Sequence, residues 1–175
     1  SDYRTEIEAA TSVGDHAVAI ELSDDMPARW KARKKLIAID HHGPRAGSDQ
    51  PSALEQVFRL IGAPPSAWTR RMALVAANDI GHVEGLKSVG ATLDEIRRIR
   101  SADRRAQGIT KADEAAAKRA IASRRLNGSL TVIATQSSTS TAIADFILPE
   151  LGGPRYEALL VIMPGKIGVF APGDV

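Results

Sequence analysis

Cysteine is absent from this chain. That excludes a disulfide framework, a thiolate zinc site and a cysteine nucleophile, and it suits a reducing cytoplasm. Aromatic residues make up only 4%. No regular stacking series lines a basic strand, so composition gives no support to sequence-tolerant single-strand nucleic-acid binding. No apolar run approaches the roughly 20 residues that span a bilayer. The opening Ser1-Asp2-Tyr3-Arg4 lacks the basic start and apolar core of a secretory signal. A cytoplasmic location with no membrane partner is therefore expected. There is no Walker-type loop, no dinucleotide-binding glycine fingerprint and no G-x-S-x-G nucleophile turn. Internal repeats and low-complexity tracts are also missing.

What remains is 175 residues with 43% hydrophobic and 25% charged content, the balance of an ordinary globular protein with a real core. The net charge of +2 hides an uneven distribution. From Asp94 to Arg125, Lys and Arg outnumber Asp and Glu by ten to five. Such a stretch could steer phosphate-bearing ligands, or it could be the solvated face of a helix.

Hydrophobic periodicity predicts a helix over Arg4–Ser12, a strand over His16–Leu22, a short helix from Pro27 to Lys34 and a strand at Leu36–Ile39. Alternation of this kind marks a doubly wound α/β layer. Ser52 opens a helix with its apolar stripe at Leu54, Val57, Phe58 and Ile61, stopped by Gly62 and Pro64-Pro65. Trp68, Met72 and Val75 mark another, closing at Ala77-Asn78-Asp79. Thr92 and Glu95 predict a capping box. Thr110 starts an Ala-rich, charged helix to about Leu126 that reads as a connector. Strands at Leu130–Thr135, Leu159–Met163 and Ile167–Phe170, with a helix carrying Ile143, Phe146 and Ile147, form a smaller β-α-β-β subdomain. The expected fold is α/β, a parallel-sheet domain at 1–109, a connector at 110–128 and the subdomain at 129–175.

The stretch richest in chemistry is Leu36-Ile37-Ala38-Ile39-Asp40-His41-His42-Gly43. A buried-type strand delivers an acid and two imidazoles to a turn, and ligands in open α/β sheets collect beyond strand carboxyl ends. Carboxylate plus imidazole suits Mn, Zn or Fe. The alternative is a helix-capping Asp followed by two surface histidines. Asp79, in Ala76-Ala77-Asn78-Asp79-Ile80-Gly81-His82, is a second acidic candidate; the alternative is a helix-terminal turn residue, which the helix dipole disfavours for a carboxylate. Glu21, Asp24 and Asp25 follow the preceding strand and reach the same sheet edge, although Asp24 and Asp25 could merely cap the helix begun by Pro27. Ser137, Ser138 and Thr139, between a strand and a helix, offer backbone N–H groups to phosphate. Arg45 and Lys166 could pair with phosphate but have no spacing that argues for it.

Taken together, Ile39-Asp40-His41-His42-Gly43 and Ala77-Asn78-Asp79-Ile80-Gly81-His82 resemble the third and fourth motifs of the DHH phosphoesterase superfamily. That group includes RecJ-type exonucleases, oligoribonuclease/phosphatases, cyclic-dinucleotide phosphodiesterases and manganese-dependent inorganic pyrophosphatases. The tail from Leu130 resembles the small subdomain that follows the DHH domain. The resemblance implies that His41 and Asp79 are ligands of one two-metal centre, and that Glu21, Asp24 or Asp25 serves as the remaining acid or that ligand is missing. It implies that His42 contacts substrate phosphate and that Asp40 orients the site. Mn²⁺ (or Mg²⁺) would be the cofactor, in metal-assisted hydrolysis of a nucleotide, nucleic acid or other phosphoester. The family's first motif, His-x-Asp-x-Asp, and its terminal Gly-Gly-Gly-His segment have no counterpart here, which implies a fragment or a degenerate member. The alternative function is thus a non-catalytic domain that binds nucleotide, nucleic acid or a protein partner. A homodimer is compatible with either.

Overall fold

The computed structural model describes residues 4–13, 16–22, 35–42 and 50–171. The chain divides into two compact units, Ser1–Gly90 and Ala91–Val175. Among the described residues the architecture is mixed α/β, with six helices and two small sheets. No described helix is long and apolar enough to cross a membrane. The predicted helix at 27–34 lies outside the described residues.

In the first unit, α1 (Arg4–Ser12) leads to β1 (Ala17–Ile20), which pairs in parallel with β2 (Leu36–Ile39). The register sets Ala17 against Leu36 and Ile20 against Ile39, so both strands end level. Ala19 is buried beneath Ile7, Leu22 and Leu36. Among the described residues this sheet has two strands.

Helix α2 (Ala53–Leu60) starts at the fully buried Ser52, whose hydroxyl accepts the Glu55 N–H at 3.3 Å. It stops at Gly62, whose φ of +65° suits a residue without Cβ. A 3-10 turn over Pro65–Ala67 follows. Helix α3 (Arg70–Ser88) is capped by Thr69, which accepts the Met72 N–H at 3.3 Å.

The expected end of α3 at Asp79 needs correction. The helix breaks at Gly81 and His82 and then resumes, burying Val83 and Leu86. The segment beyond the break folds back on the one before it, because a Cβ on Gly85 would lie 2.1 Å from the Ala77 carbonyl oxygen. Gly85→Ala is therefore expected to destabilise by about 1–3 kcal/mol in urea unfolding through overpacking. Alanine's better helix propensity alone would stabilise by about 1 kcal/mol, so the sign of the change decides between the two effects.

In the second unit, α4 (Leu93–Ala106) carries the predicted capping box. The Thr92 N–H donates to Glu95 at 2.8 Å, and the Glu95 N–H donates to the Thr92 hydroxyl at 3.2 Å. Helix α5 (Lys111–Ala122) has a matching box from Thr110 and Asp113. Strands β3 (Arg125–Asn127), β4 (Leu130–Ala134), β5 (Ala158–Met163) and β6 (Lys166–Phe170) lie in that order. The central β4–β5 pair is parallel, joined through α6 (Thr141–Phe146), and the outer pairs are antiparallel.

Two expectations change here. Helix α5 is more than a connector, since Ala117 and Ile121 enter the core with Ile133, Ile143, Ile147, Leu159 and Val161. It also ends at Ala122, and residues 125–127 form a strand. Both α4 and α5 lie in the unit Ala91–Val175.

The basic stretch is also not simply a solvated face. Arg100 and Arg104 are 3% and 4% exposed and converge on Asp145, itself 4% exposed. Arg100 donates to one Asp145 oxygen through Nε at 3.1 Å and Nη2 at 2.6 Å. Arg104 Nη1 donates to the other at 2.6 Å, while its Nε donates to Glu114 at 2.8 Å. Burial alone would lower the Arg104 pKa, but hydrogen bonds to Glu114 and Asp145 hold it above the ordinary value. The Arg104 guanidinium also lies 4.5 Å from the centre of the Phe146 ring.

Candidate metal site

The parallel pairing of β1 and β2 decides what meets at the site. The Glu21 N–H donates to the Ile39 carbonyl at 2.8 Å, so the residue after β1 lies level with the last residue of β2. Glu21 then adopts φ +58°, a left-handed conformation that is uncommon for a residue with a Cβ. That turn leaves the carboxylate beside the residues following β2.

Asp40 is 8% exposed and holds the turn from two sides. Its Oδ1 accepts the His42 N–H at 2.9 Å, and its carbonyl accepts Gln56 Nε2 at 2.9 Å. The acid thus fixes the backbone from which both histidines project.

The His41 side chain is 5% exposed, with Nδ1 3.0 Å from Glu21 Oε1 and Nε2 3.7 Å from Asp79 Oδ2. Despite these separations, neither buried ring nitrogen makes a hydrogen bond of proper geometry. His42 Nε2 lies 3.1 Å from Glu21 Oε2, and its side chain is 60% exposed. The two imidazole rings lie against each other with centroids 3.8 Å apart and planes tilted by 44°. One Glu21 carboxylate therefore spans both rings.

A neutral imidazole has one N–H and one lone pair. With a carboxylate oxygen facing each nitrogen of His41, one lone pair must oppose another unless a second proton or a cation intervenes. Leaving buried polar atoms unsatisfied costs about 1–3 kcal/mol each. Glu21, His41 and His42 offer donor atoms within 4.8 Å of one another. Two imidazoles and one carboxylate make a mixed nitrogen–oxygen set, which suits manganese, zinc or iron better than magnesium. Asp79 faces the other nitrogen of His41 and lies outside that set. The residues present fit a metal ion.

Asp79 occupies the last turn before the break in α3, where the helix dipole gives a carboxylate no help. His82, just beyond it, has φ +47°; it is exposed and lies outside the donor group. Glu21 and His82 are two of the three non-glycine positive-φ positions among the described residues. Strained backbone of this sort concentrates at functional sites.

Asp24, Asp25 and Arg45 lie outside the described residues. Ser137, Ser138 and Thr139 follow β4 in the second unit. Their backbone is partly committed, since the Ser137 N–H donates to the Thr135 hydroxyl at 3.1 Å and the Thr139 N–H to the Ser137 hydroxyl at 3.2 Å. Lys166 begins β6 and is exposed. Gln56 was not among the sequence candidates; only its place in the first turn of a helix just after the motif could have drawn attention to it.

Comparison with protein-family models finds no match, and neither do comparisons with curated proteins or with solved structures.

Proposed function

We propose that Glu21, His41 and His42 hold a divalent cation, manganese in preference to magnesium, with Asp79 facing the other nitrogen of the His41 ring. The chain, on this reading, is a DHH-type phosphoesterase, or a fragment of one, that cleaves a phosphodiester or phosphoanhydride. The observation that carries it is the buried His41 ring, wedged between two carboxylates with neither nitrogen hydrogen-bonded. The DHH resemblance of the same residues supplies the reaction class.

Within this reading, Glu21 orients both imidazoles and balances charge. Asp40 is a positioning residue that acts through the His42 backbone. His42, the more exposed ring, is the one placed to touch a phosphate oxygen. A bound divalent ion would supply Lewis acidity, activating water and stabilising charge on phosphorus oxygens.

The test is hydrolysis of bis(p-nitrophenyl) phosphate and of pyrophosphate, with and without manganese. Product release is expected to rise at least 10-fold with the metal and to be lost in Glu21→Gln. Equal rates in the presence of metal and of chelator would defeat the proposal. A second reading, nucleotide binding without turnover, draws on the donor count, because the described residues suit one cation and not a two-metal centre. Saturable, manganese-dependent binding of a nucleotide with no hydrolysis would select it.

A further inference from the structure

We propose that the cavity between α2 and the turn after it is a nucleobase pocket, resting on the reading that the neighbouring His41 site takes a nucleotide phosphate. The cavity has a volume of about 440 Å³ and is lined by Glu55, Phe58, Arg59, Ala63, Pro65 and Trp68. That is the size of a small-ligand site, and so is its mixture of aromatic walls with a few polar groups.

The walls are rigid for local reasons. Gly62 turns the chain, and the Ala67 and Trp68 N–H groups close on the Pro64 and Pro65 carbonyls at 2.8 and 3.0 Å. Trp68 is thereby brought against Phe58, with ring centroids 4.9 Å apart and planes at 77°. An edge-to-face pair uses only one of its four ring faces, and both side chains are only half-buried. Flat ring surface therefore remains for a planar ligand. Glu55 and Arg59 pair with each other at the rim, one turn apart on α2. The carboxylate can accept from the amino and ring N–H edge of a base, and the guanidinium can meet a phosphate or stack on a ring. An aliphatic ligand would use neither group.

Position links this cavity to the histidines. Gln56, adjacent to Glu55, donates to the Asp40 carbonyl at 2.9 Å. The cavity wall and the backbone of Asp40 are thus tied to the same turn of α2. One nucleotide would lay its base between Phe58, Trp68 and Glu55 and its phosphate toward His42.

The experiment uses the full chain carrying Trp30→Phe, which leaves Trp68 as the only tryptophan. Guanosine 5′-monophosphate, guanosine and ribose 5-phosphate are titrated with manganese present, followed by fluorescence and calorimetry. The nucleotide is expected to quench Trp68 saturably and to bind at least 10-fold tighter than ribose 5-phosphate. Trp68→Leu should erase that advantage, and Trp68→Phe should keep most of it. If ribose 5-phosphate binds as tightly as the nucleotide, and both are lost in His41→Ala, the base pocket is overturned while the phosphate site stands. If guanosine alone saturates the quench and a phosphate adds nothing, the pocket stands and the phosphate reading fails. No binding of any of the three overturns the pocket.

Discussion

Asp145→Ala is expected to destabilise the second unit by about 3 kcal/mol, the low end for breaking a buried ion pair, because two buried guanidinium groups lose their shared counter-ion and keep only Asp103 and Glu114. Arg100 and Arg104 both reach Asp145 oxygens at 2.6 Å from sites only 3% and 4% exposed. Small domains are typically stable by only about 5–15 kcal/mol, so this one change consumes a large share. Urea denaturation read by circular dichroism would measure it. A buried ion triad is often no better than a packed apolar one. Combining Arg100→Met, Arg104→Met and Asp145→Leu is therefore expected to recover most of the loss. Should Asp145→Ala unfold at the same urea concentration as the parent, the triad carries no stabilising role.

His41→Ala is expected to lower manganese affinity at least 100-fold while leaving the metal-free protein folded. The ring offers both nitrogens to carboxylates and hydrogen-bonds through neither, so its loss removes a ligand and no structural bond. A ligand that binds only the folded state at about 100 times its Kd stabilises by about 2.7 kcal/mol. Manganese should thus raise the melting temperature of the parent by several degrees and leave the variant unmoved. Asp79→Asn should show a smaller loss, in keeping with its longer 3.7 Å approach. An unchanged manganese shift in His41→Ala would remove the metal site.

The sequence was most legible where physics is local. The β-branched run Leu36–Ile39 and the turn residues after it mark a strand and its end, and Ser52 and Thr92 announce helix starts through hydroxyl caps. Longer-range causes stayed hidden. Asp145 lies 45 residues from Arg100, so counting charge along the chain treats buried, paired arginines as a basic surface. The resumption of α3 depends on Gly85 reaching Ala77, a contact with no trace in the apolar pattern. The sequence does not single out Glu21 among the three acids at that sheet edge, because the positive φ that accompanies its approach to His41 has no local signal. The hydroxyl run at 137–139 invited a phosphate, but short side-chain turns already engage part of it.

The bridge from Glu21 to His41 also bears on how a cysteine-free chain holds its two-stranded sheet. An ion clasped there would cross-link two segments and close a loop of about 20 residues, restricting the unfolded chain much as a disulfide of similar span does. Unlike a covalent staple, such a clasp tightens or releases with the supply of free metal, so the persistence of the β1–β2 pairing would track the ionic composition around it.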